Sequence, residues 1–130
     1  MPSIAKGSFT VEMKPQGDPD VADGVSLGRL LLQKRFEGEL EASSQVEMLT
    51  AMTPVQGSAG YVAIERVTGS LHGKTGSFVF QHTGTMSRGA QQLSISVVPD
   101  SGTGELTGLS GTFRIEIVEG KHFYEFEYQF

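Results

Sequence analysis

The sequence predicts an all-β protein, a meander of about eight strands that forms a single domain over residues 1–130. Three observations predict this fold class. Apolar and polar residues alternate strictly in several segments, seventeen glycines separate those segments at regular intervals, and the one segment with helix-forming composition, residues 26–48, has no convincing N-cap. A chain of 130 residues has the usual size of one domain and can bury a core without a disulfide or a metal.

The individual strands are predicted from this alternation, in chain order. The positions that share one face of each strand are Phe9, Val11 and Met13, then Phe78 and Phe80, then Leu93, Ile95 and Val97, then Phe113, Ile115 and Ile117, and last His122, Tyr124, Phe126, Tyr128 and Phe130. A period of two is typical of a half-buried strand. Glu119 and Gly120 predict a tight turn between the last two strands, and the two prolines of residues 14–20 predict a long surface loop.

Residues 26–48 fit a helix and a strand about equally well on local grounds. Leu27, Leu30 and Leu31 could share one helical face, and the surrounding Gln, Lys, Arg and Glu residues are good helix formers. Gly28 within the run and Gly38 at its end oppose a helix. We expect strands here, because the other segments of the chain need partners in a sheet.

One pattern, Gly-x-Leu-x-Gly-x-x-Gly-x-Phe, occurs at residues 69–78 and again at residues 104–113. It predicts the same tight strand-to-strand connection built twice, with a positive φ or a close backbone approach at the glycines. We interpret the pattern as two similar turns of one sheet rather than as a duplicated functional site. The Gly-Lys-Thr triplet at residues 73–75 lacks the preceding glycine of a phosphate-binding loop.

Composition excludes several classes of function. The formal net charge of −5 argues against a nucleic-acid partner, because phosphate binding needs clustered Lys and Arg. The longest apolar runs, residues 30–32 and 61–64, are far shorter than the ~20 residues of a membrane helix. The first residues have no apolar core of a signal peptide, so we expect a cytoplasmic protein. With no cysteine, and with three histidines in separate segments, the chain predicts no metal site, and no cofactor motif is present.

Several specific segments resemble an uncharacterised family of small single-domain bacterial proteins, known only as a domain of unknown function. They are residues 36–41, 61–66, 81–86 and 97–106 and the final His122-x-Tyr124. That family resembles allene oxide cyclase and the plant dirigent proteins in fold, through residues 101–104 followed by Leu106 and Gly111. The resemblance implies an eight-stranded antiparallel β-barrel with a cavity, and it implies cyclase activity only by analogy.

Four titratable side chains are candidates for acid–base catalysis. His82 follows Phe78 and Phe80 at a spacing of two and should share their face, although a histidine satisfied by a neighbouring strand is the commoner case. Glu41, Glu47 and Glu65 are the candidate carboxylates, since burial in a barrel would raise the pKa of a carboxyl group enough for a general base. The alternative is that each glutamate points to water or pairs with an arginine.

Aromatic side chains predict a lining for the barrel interior. They are Tyr61, Phe78, Phe80, Tyr124, Phe126 and Tyr128. Such residues either surround a ligand or simply pack against one another, and the sequence leaves both readings open. The first hypothesis is therefore a cytosolic barrel that binds a small apolar molecule inside, with isomerase or cyclase activity as its extension. The alternative is a non-catalytic protein that acts through its outer surface as a homo-oligomer.

Overall fold

The computed structural model describes residues 2–130, which form nine β-strands and one 3₁₀ turn. The strands are β1 Ser3–Pro15, β2 Asp20–Ala22, β3 Val25–Gly38, β4 Leu40–Met52, β5 Ala59–Leu71, β6 Lys74–Ser87, β7 Ala90–Val97, β8 Ser110–Val118 and β9 Lys121–Gln129, with the 3₁₀ turn at Gly104–Leu106. The prediction of an all-β fold is confirmed. The ambiguous segment forms most of β3 and β4, so the strand interpretation of it is correct.

The sheet is antiparallel and closes on itself. Its order is β1-β9-β8-β7-β6-β5-β4-β3, and β1 also pairs with β3, so that eight strands of the described chain form a barrel. The short β2 is an additional strand that pairs with β3. The predicted eight-stranded barrel is therefore confirmed, and the loop expected at residues 14–20 is shortened at both ends by β1 and β2.

Aromatic side chains fill one half of the lumen, which we call the closed half. It contains Phe36, Phe78, Phe80, Phe113 and Phe126, all buried, with ring centroids 4.8 Å apart for Phe80 and Phe113. Leu106 and Leu109, from the segment between β7 and β8, cover this end of the barrel. Close packing of this kind leaves no room for a ligand.

The segment that follows β7 runs along β6 and completes the wall there. The backbone N–H of Thr103 donates to the Ser77 carbonyl at 2.8 Å, and its hydroxyl accepts from the Ser77 N–H at 3.1 Å. Ser101 Oγ likewise accepts from the Val79 N–H at 3.0 Å. These bonds satisfy backbone groups of β6 beyond the point where β7 ends.

The opposite half of the lumen, which we call the open half, is less tightly closed. β7 and β8 share one bridge, between Ser96 and Thr112. The two strands therefore separate toward the end of the barrel that holds Ala90 and Val118. The hairpin turn at Glu119 and Gly120, which the sequence predicted, lies at this same end, with φ values of 51° and 79°.

The two copies of the glycine pattern do not form the same connection. In the first, His72 and Gly73 form a two-residue hairpin with φ values of 46° and 82°. In the second, a 3₁₀ turn is followed by Thr107 at φ −58° and Gly108 at φ 87°. The prediction of a repeated tight connection is therefore wrong. The physical reason is that the leucine of the first copy ends a strand, whereas Leu106 covers the end of the barrel.

Candidate functional site

A cluster of polar side chains lies between the closed half and the open half. Lys34, Ser44, Glu65 and His82 come from the consecutive strands β3, β4, β5 and β6, and all four side chains point inward. The exposed fractions of Lys34, Glu65 and His82 are 8%, 1% and 2%. Charged groups are removed from water at this depth only when partners replace their hydration.

Glu65 is the centre of this cluster. Its Oε1 accepts hydrogen bonds from His82 Nε2 at 2.7 Å and from Lys34 Nζ at 3.2 Å, and its Oε2 accepts from Ser44 Oγ at 2.6 Å. Burial acts most strongly and would raise the pKa of Glu65. The hydrogen bond from His82, the charge of Lys34 and the hydrogen bond from Ser44 outweigh it together, so the pKa of Glu65 lies below its ordinary value. Glu65 is therefore a carboxylate.

These contacts also set the position of the imidazole proton. Because the carboxylate of Glu65 accepts from His82 Nε2, that nitrogen carries a proton. The ammonium of Lys34 already balances the carboxylate, so a neutral imidazole keeps the buried cluster neutral overall. His82 Nδ1 then has a free lone pair, and Tyr61 Oη lies 3.3 Å from it.

Tyr61 separates the polar cluster from the open half of the lumen. Its ring lies over Gly84 on β6, where a Cβ atom would be 2.4 Å from Cε1 of Tyr61. A glycine is therefore required at this position for the ring to lie flat against the strand. Burial, with a smaller effect from the charge of Glu65, raises the pKa of the Tyr61 hydroxyl, which stays protonated at neutral pH.

A cavity of about 400 Å³ lies above Tyr61 on the inner face of the open half. Its lining includes Met48, Thr50, Met52, Tyr61, Met86 and Leu93. The register places these residues side by side, since Thr50 is opposite Tyr61, Tyr61 is opposite Gly84, and Gly84 is opposite Leu93. The volume is in the range of small-molecule sites, roughly 300–1,000 Å³.

The four methionines of residues 2–130 all lie on the inner face of the open half. Met48, Met52 and Met86 line the cavity, and Met13 is opposite the buried Leu32. Methionine is unbranched and polarisable, so it adapts to ligands of different shape. The open half therefore combines an apolar surface with side chains that can rearrange.

The structure brings two of the candidate catalytic residues together. Glu65 and His82 are in direct contact, and Tyr61 joins them from the cavity side. Glu41 and Glu47 lie on the outer face of the barrel, where Glu47 pairs with Arg29 at 3.0 Å. These two carboxylates are not part of the lumenal cluster.

Two members of the cluster, Lys34 and Ser44, are absent from the sequence-based candidates. A signal for Lys34 was present, because it lies between Leu32 and Phe36 at a spacing of two and so shares their inward face. A charged residue in an otherwise apolar series indicates a buried partner of opposite charge.

Most of the predicted aromatic lining lies away from the cavity. Phe78, Phe80 and Phe126 pack in the closed half. The hydroxyl of Tyr124 donates to the Glu37 carbonyl at 2.8 Å and accepts from the Leu40 N–H at 2.9 Å, and that of Tyr128 contacts His72. Of the six aromatic residues, Tyr61 borders the cavity.

The described residues contain neither a candidate metal site nor a membrane-spanning helix. Within residues 2–130, no group of three or more His, Asp or Glu side chains is arranged to hold a metal ion. No helix in this part of the chain is long and apolar enough to cross a membrane. A depression of about 940 Å³ lies mainly on the outer wall, around charged residues such as Lys6, Glu37 and Arg114, and is separate from the lumenal cavity.

The fold and the site define a closed antiparallel β-barrel with a half-filled lumen and a buried ionic cluster. The chain belongs to the family described as protein of unknown function (DUF3224), which matches residues 5–128. The crystal structure of a protein with unknown function from the DUF3224 family of Shewanella oneidensis MR-1 is similar, with 53% sequence identity and a TM-score of 0.95. The match covers 100% of this chain and 98% of that one.

A comparison with curated proteins finds no match. The predicted membership of a family of unknown function is confirmed. The predicted likeness to allene oxide cyclase stays a prediction, since the relative just described carries no activity in its description.

Proposed function

We propose that the barrel binds one small, largely apolar molecule in its open half, above Tyr61. The observation that carries this proposal is the cavity of about 400 Å³ on the inner face, lined by methionine and leucine side chains. Charged groups do not border it directly, because the Tyr61 ring lies between the cavity and the ionic cluster. A neutral ligand is therefore favoured over an ion.

The rim of the barrel supports the same proposal. Met52 is 56% exposed and Ile117 is 62% exposed. Each alternates in step with the inward-facing residues of its own strand, and each lies near the open end of the barrel. Exposed apolar side chains around a concavity are typical of a ligand-binding site. A ligand that buries about 200 Å² of apolar surface gains roughly 5 kcal/mol before the losses of association are subtracted, so we expect weak binding, with dissociation constants near the millimolar range.

A fluorescence titration with the neutral probe N-phenyl-1-naphthylamine tests the proposal. The variant Thr50→Phe places an aromatic ring inside the cavity, and Leu49→Phe, one residue earlier, places the same ring on the outer face. We expect the wild type and Leu49→Phe to bind the probe and Thr50→Phe to lose most of that binding. Absence of binding to the wild type, or equal binding by both variants, would contradict the proposal.

Isomerase or cyclase activity is an extension of this proposal. His82 is 2% exposed, so the cluster meets the cavity through the Tyr61 hydroxyl. Any proton exchanged with a bound molecule therefore passes through Tyr61. The extension predicts that turnover of an apolar substrate falls far more in Tyr61→Phe than binding of that substrate does.

A second candidate function is self-association through the outer wall. Leu49 and Val62 are opposite each other on the outer face of β4 and β5, with Ile64 beside them, and each is about half exposed, at 56%, 50% and 51%. The Arg29–Glu47 pair beside them carries one positive and one negative charge. In a twofold contact the same patch of two copies meets, so each charge can face the opposite charge of the other copy. Sedimentation velocity of the wild type and of Val62→Lys tests it, and a monomeric wild type would contradict it.

A further inference from the structure

The positions of the protons in the cluster determine which kind of hydrogen-bonding group a ligand in the open half can place against Tyr61 Oη. We propose that this ligand carries a hydrogen-bond donor, a hydroxyl or an N–H group, which Tyr61 Oη accepts. The inference rests on the proposed binding function and adds the chemical class of the ligand.

Glu65 determines where the protons of the cluster lie. Its two carboxylate oxygens receive three donors, from Lys34, Ser44 and His82, at 3.2, 2.6 and 2.7 Å. The ammonium of Lys34, which can only donate, favours the ionised form of the carboxyl group. Although burial raises the pKa of Glu65, the three contacts together hold this pKa below its ordinary value. The carboxylate has no proton to donate, so it accepts the Nε2 proton of His82.

The second ring nitrogen of His82, Nδ1, faces Tyr61. A neutral imidazole has one N–H and one lone pair, and Glu65 already accepts the N–H. His82 Nδ1 is therefore an acceptor. The group within reach of it is the Tyr61 hydroxyl, at 3.3 Å. Tyr61 therefore donates its single hydroxyl proton to His82, on the side of the ionic cluster and away from the cavity.

The cavity lies on the other side of Tyr61 from His82. With its proton directed at His82, Tyr61 Oη offers only lone pairs to a molecule above it. Thr50 is opposite Tyr61 in the register, and its Oγ1 lies toward β3, 2.9 Å from where a Cβ of Gly28 would be. A ligand hydroxyl thus finds an acceptor at the floor of the cavity, whereas a carbonyl or ether oxygen there meets only another acceptor.

The chain of hydrogen bonds from Tyr61 through His82 to Glu65 also makes Tyr61 Oη a better acceptor. A hydroxyl that donates to one partner becomes more electron-rich toward a second, since hydrogen bonds in a chain polarise one another. Single hydrogen bonds in proteins have net values of about 1 kcal/mol, and leaving two acceptors in contact adds a penalty. We therefore expect about a tenfold preference for a donor ligand over an acceptor ligand of the same shape.

Titration calorimetry with 2-naphthol and 2-methoxynaphthalene tests this preference. The two probes share a naphthalene ring, but only 2-naphthol can donate a hydrogen bond. We expect the wild type to bind 2-naphthol about tenfold more tightly, and Tyr61→Phe, which keeps the ring over Gly84, to bind both probes alike. Thr83→Val, which removes a hydroxyl from the outer face of β6, is the control variant and should keep the preference.

The outcomes separate the two proposals. Equal binding of both probes by the wild type, or a preference that persists in Tyr61→Phe, overturns the donor inference and leaves the binding function intact. Failure of both probes to bind overturns the binding function and the inference with it. The ¹⁵N shifts of His82 in the wild type give a second readout that needs no variant, and a proton on Nδ1 instead of Nε2 would also overturn the inference.

Discussion

His82 Nε2 lies 2.7 Å from Oε1 of Glu65, although the two residues are diagonal neighbours rather than opposite each other. The residue opposite His82 on β5 is Ala63, and the residue opposite Glu65 on β6 is Phe80. The small side chain of Ala63 leaves room for the imidazole to lean toward the carboxylate. This contact holds the proton on Nε2 and so determines what Tyr61 can offer to the cavity.

The first prediction concerns the stability of the buried cluster. Glu65→Gln removes the carboxylate and leaves the ammonium of Lys34 buried without a counter-charge, so we expect a loss of about 3–5 kcal/mol in the free energy of unfolding. Glu47→Gln removes the exposed ion pair with Arg29 and should lose about 0–1 kcal/mol. Denaturant unfolding measures both, and similar losses in the two variants would contradict the prediction.

The second prediction concerns acid. The pKa of Glu65 in the folded protein is below its ordinary value of 4.5, although burial alone would raise it, because His82, Lys34 and Ser44 stabilise the carboxylate. Its contribution to stability is complete above pH 4.5 and decreases as the pH falls toward the folded pKa. The stability difference between the wild type and Glu65→Gln should therefore narrow below that pH.

Thermal unfolding of both proteins across the acid range measures this difference. Other carboxylates titrate alike in both proteins, so their contributions cancel in the comparison. A difference that stays constant, or that widens as the pH falls, would show that Glu65 is not held as a carboxylate.

The third prediction concerns the tyrosines. Burial raises the pKa of Tyr61, Tyr124 and Tyr128 above the ordinary value of 10.0, and these are all three tyrosines of the chain. The folded protein should show less phenolate absorbance at pH 10 than the unfolded chain, and stability should fall as the pH rises further. Identical titration of the folded and unfolded forms would refute the raised pKa values.

The fourth prediction concerns the floor of the cavity. Gly84→Ala places a Cβ 2.4 Å from the Tyr61 ring, which must then move, so binding of N-phenyl-1-naphthylamine should weaken about tenfold or more. Gly60→Ala is a matched control on the neighbouring strand, because its Cβ would meet nothing closer than 3.6 Å. Equal probe binding by the two variants would show that the position of the Tyr61 ring does not shape the site.

Much of the inner face could be predicted from the period of two. Tyr61 and Glu65 share one parity, and Phe78, Phe80 and His82 share another, and all these side chains point into the barrel. The same rule placed Glu41 and Glu47 together on one face, but it did not say that this face is the outer one. A period of two shows which residues share one face of a strand, but it does not show which of the two faces points into the barrel.

The division of the lumen could not be predicted in this way. Phe80 and Tyr61 belong to neighbouring strands and both face inward, yet one lies in a packed core and the other borders a cavity. The difference arises because Leu106 and Leu109 return to cover one end, while β7 and β8 separate at the other. Both effects join residues that are distant in the sequence.

Most of the strands, their amphipathic faces and the net negative charge follow from the order of residues alone, because neighbours along the chain decide whether a segment alternates. Residues 26–48 are the exception, since their local pattern fits a helix as well as a strand. Which carboxylate meets His82, which lysine balances it and which end of the barrel stays open follow only from the tertiary structure. Register and closure are set by contacts between strands, and a contact such as that of Lys34 with Glu65 depends on the pairing of β3, β4 and β5 in a single alignment.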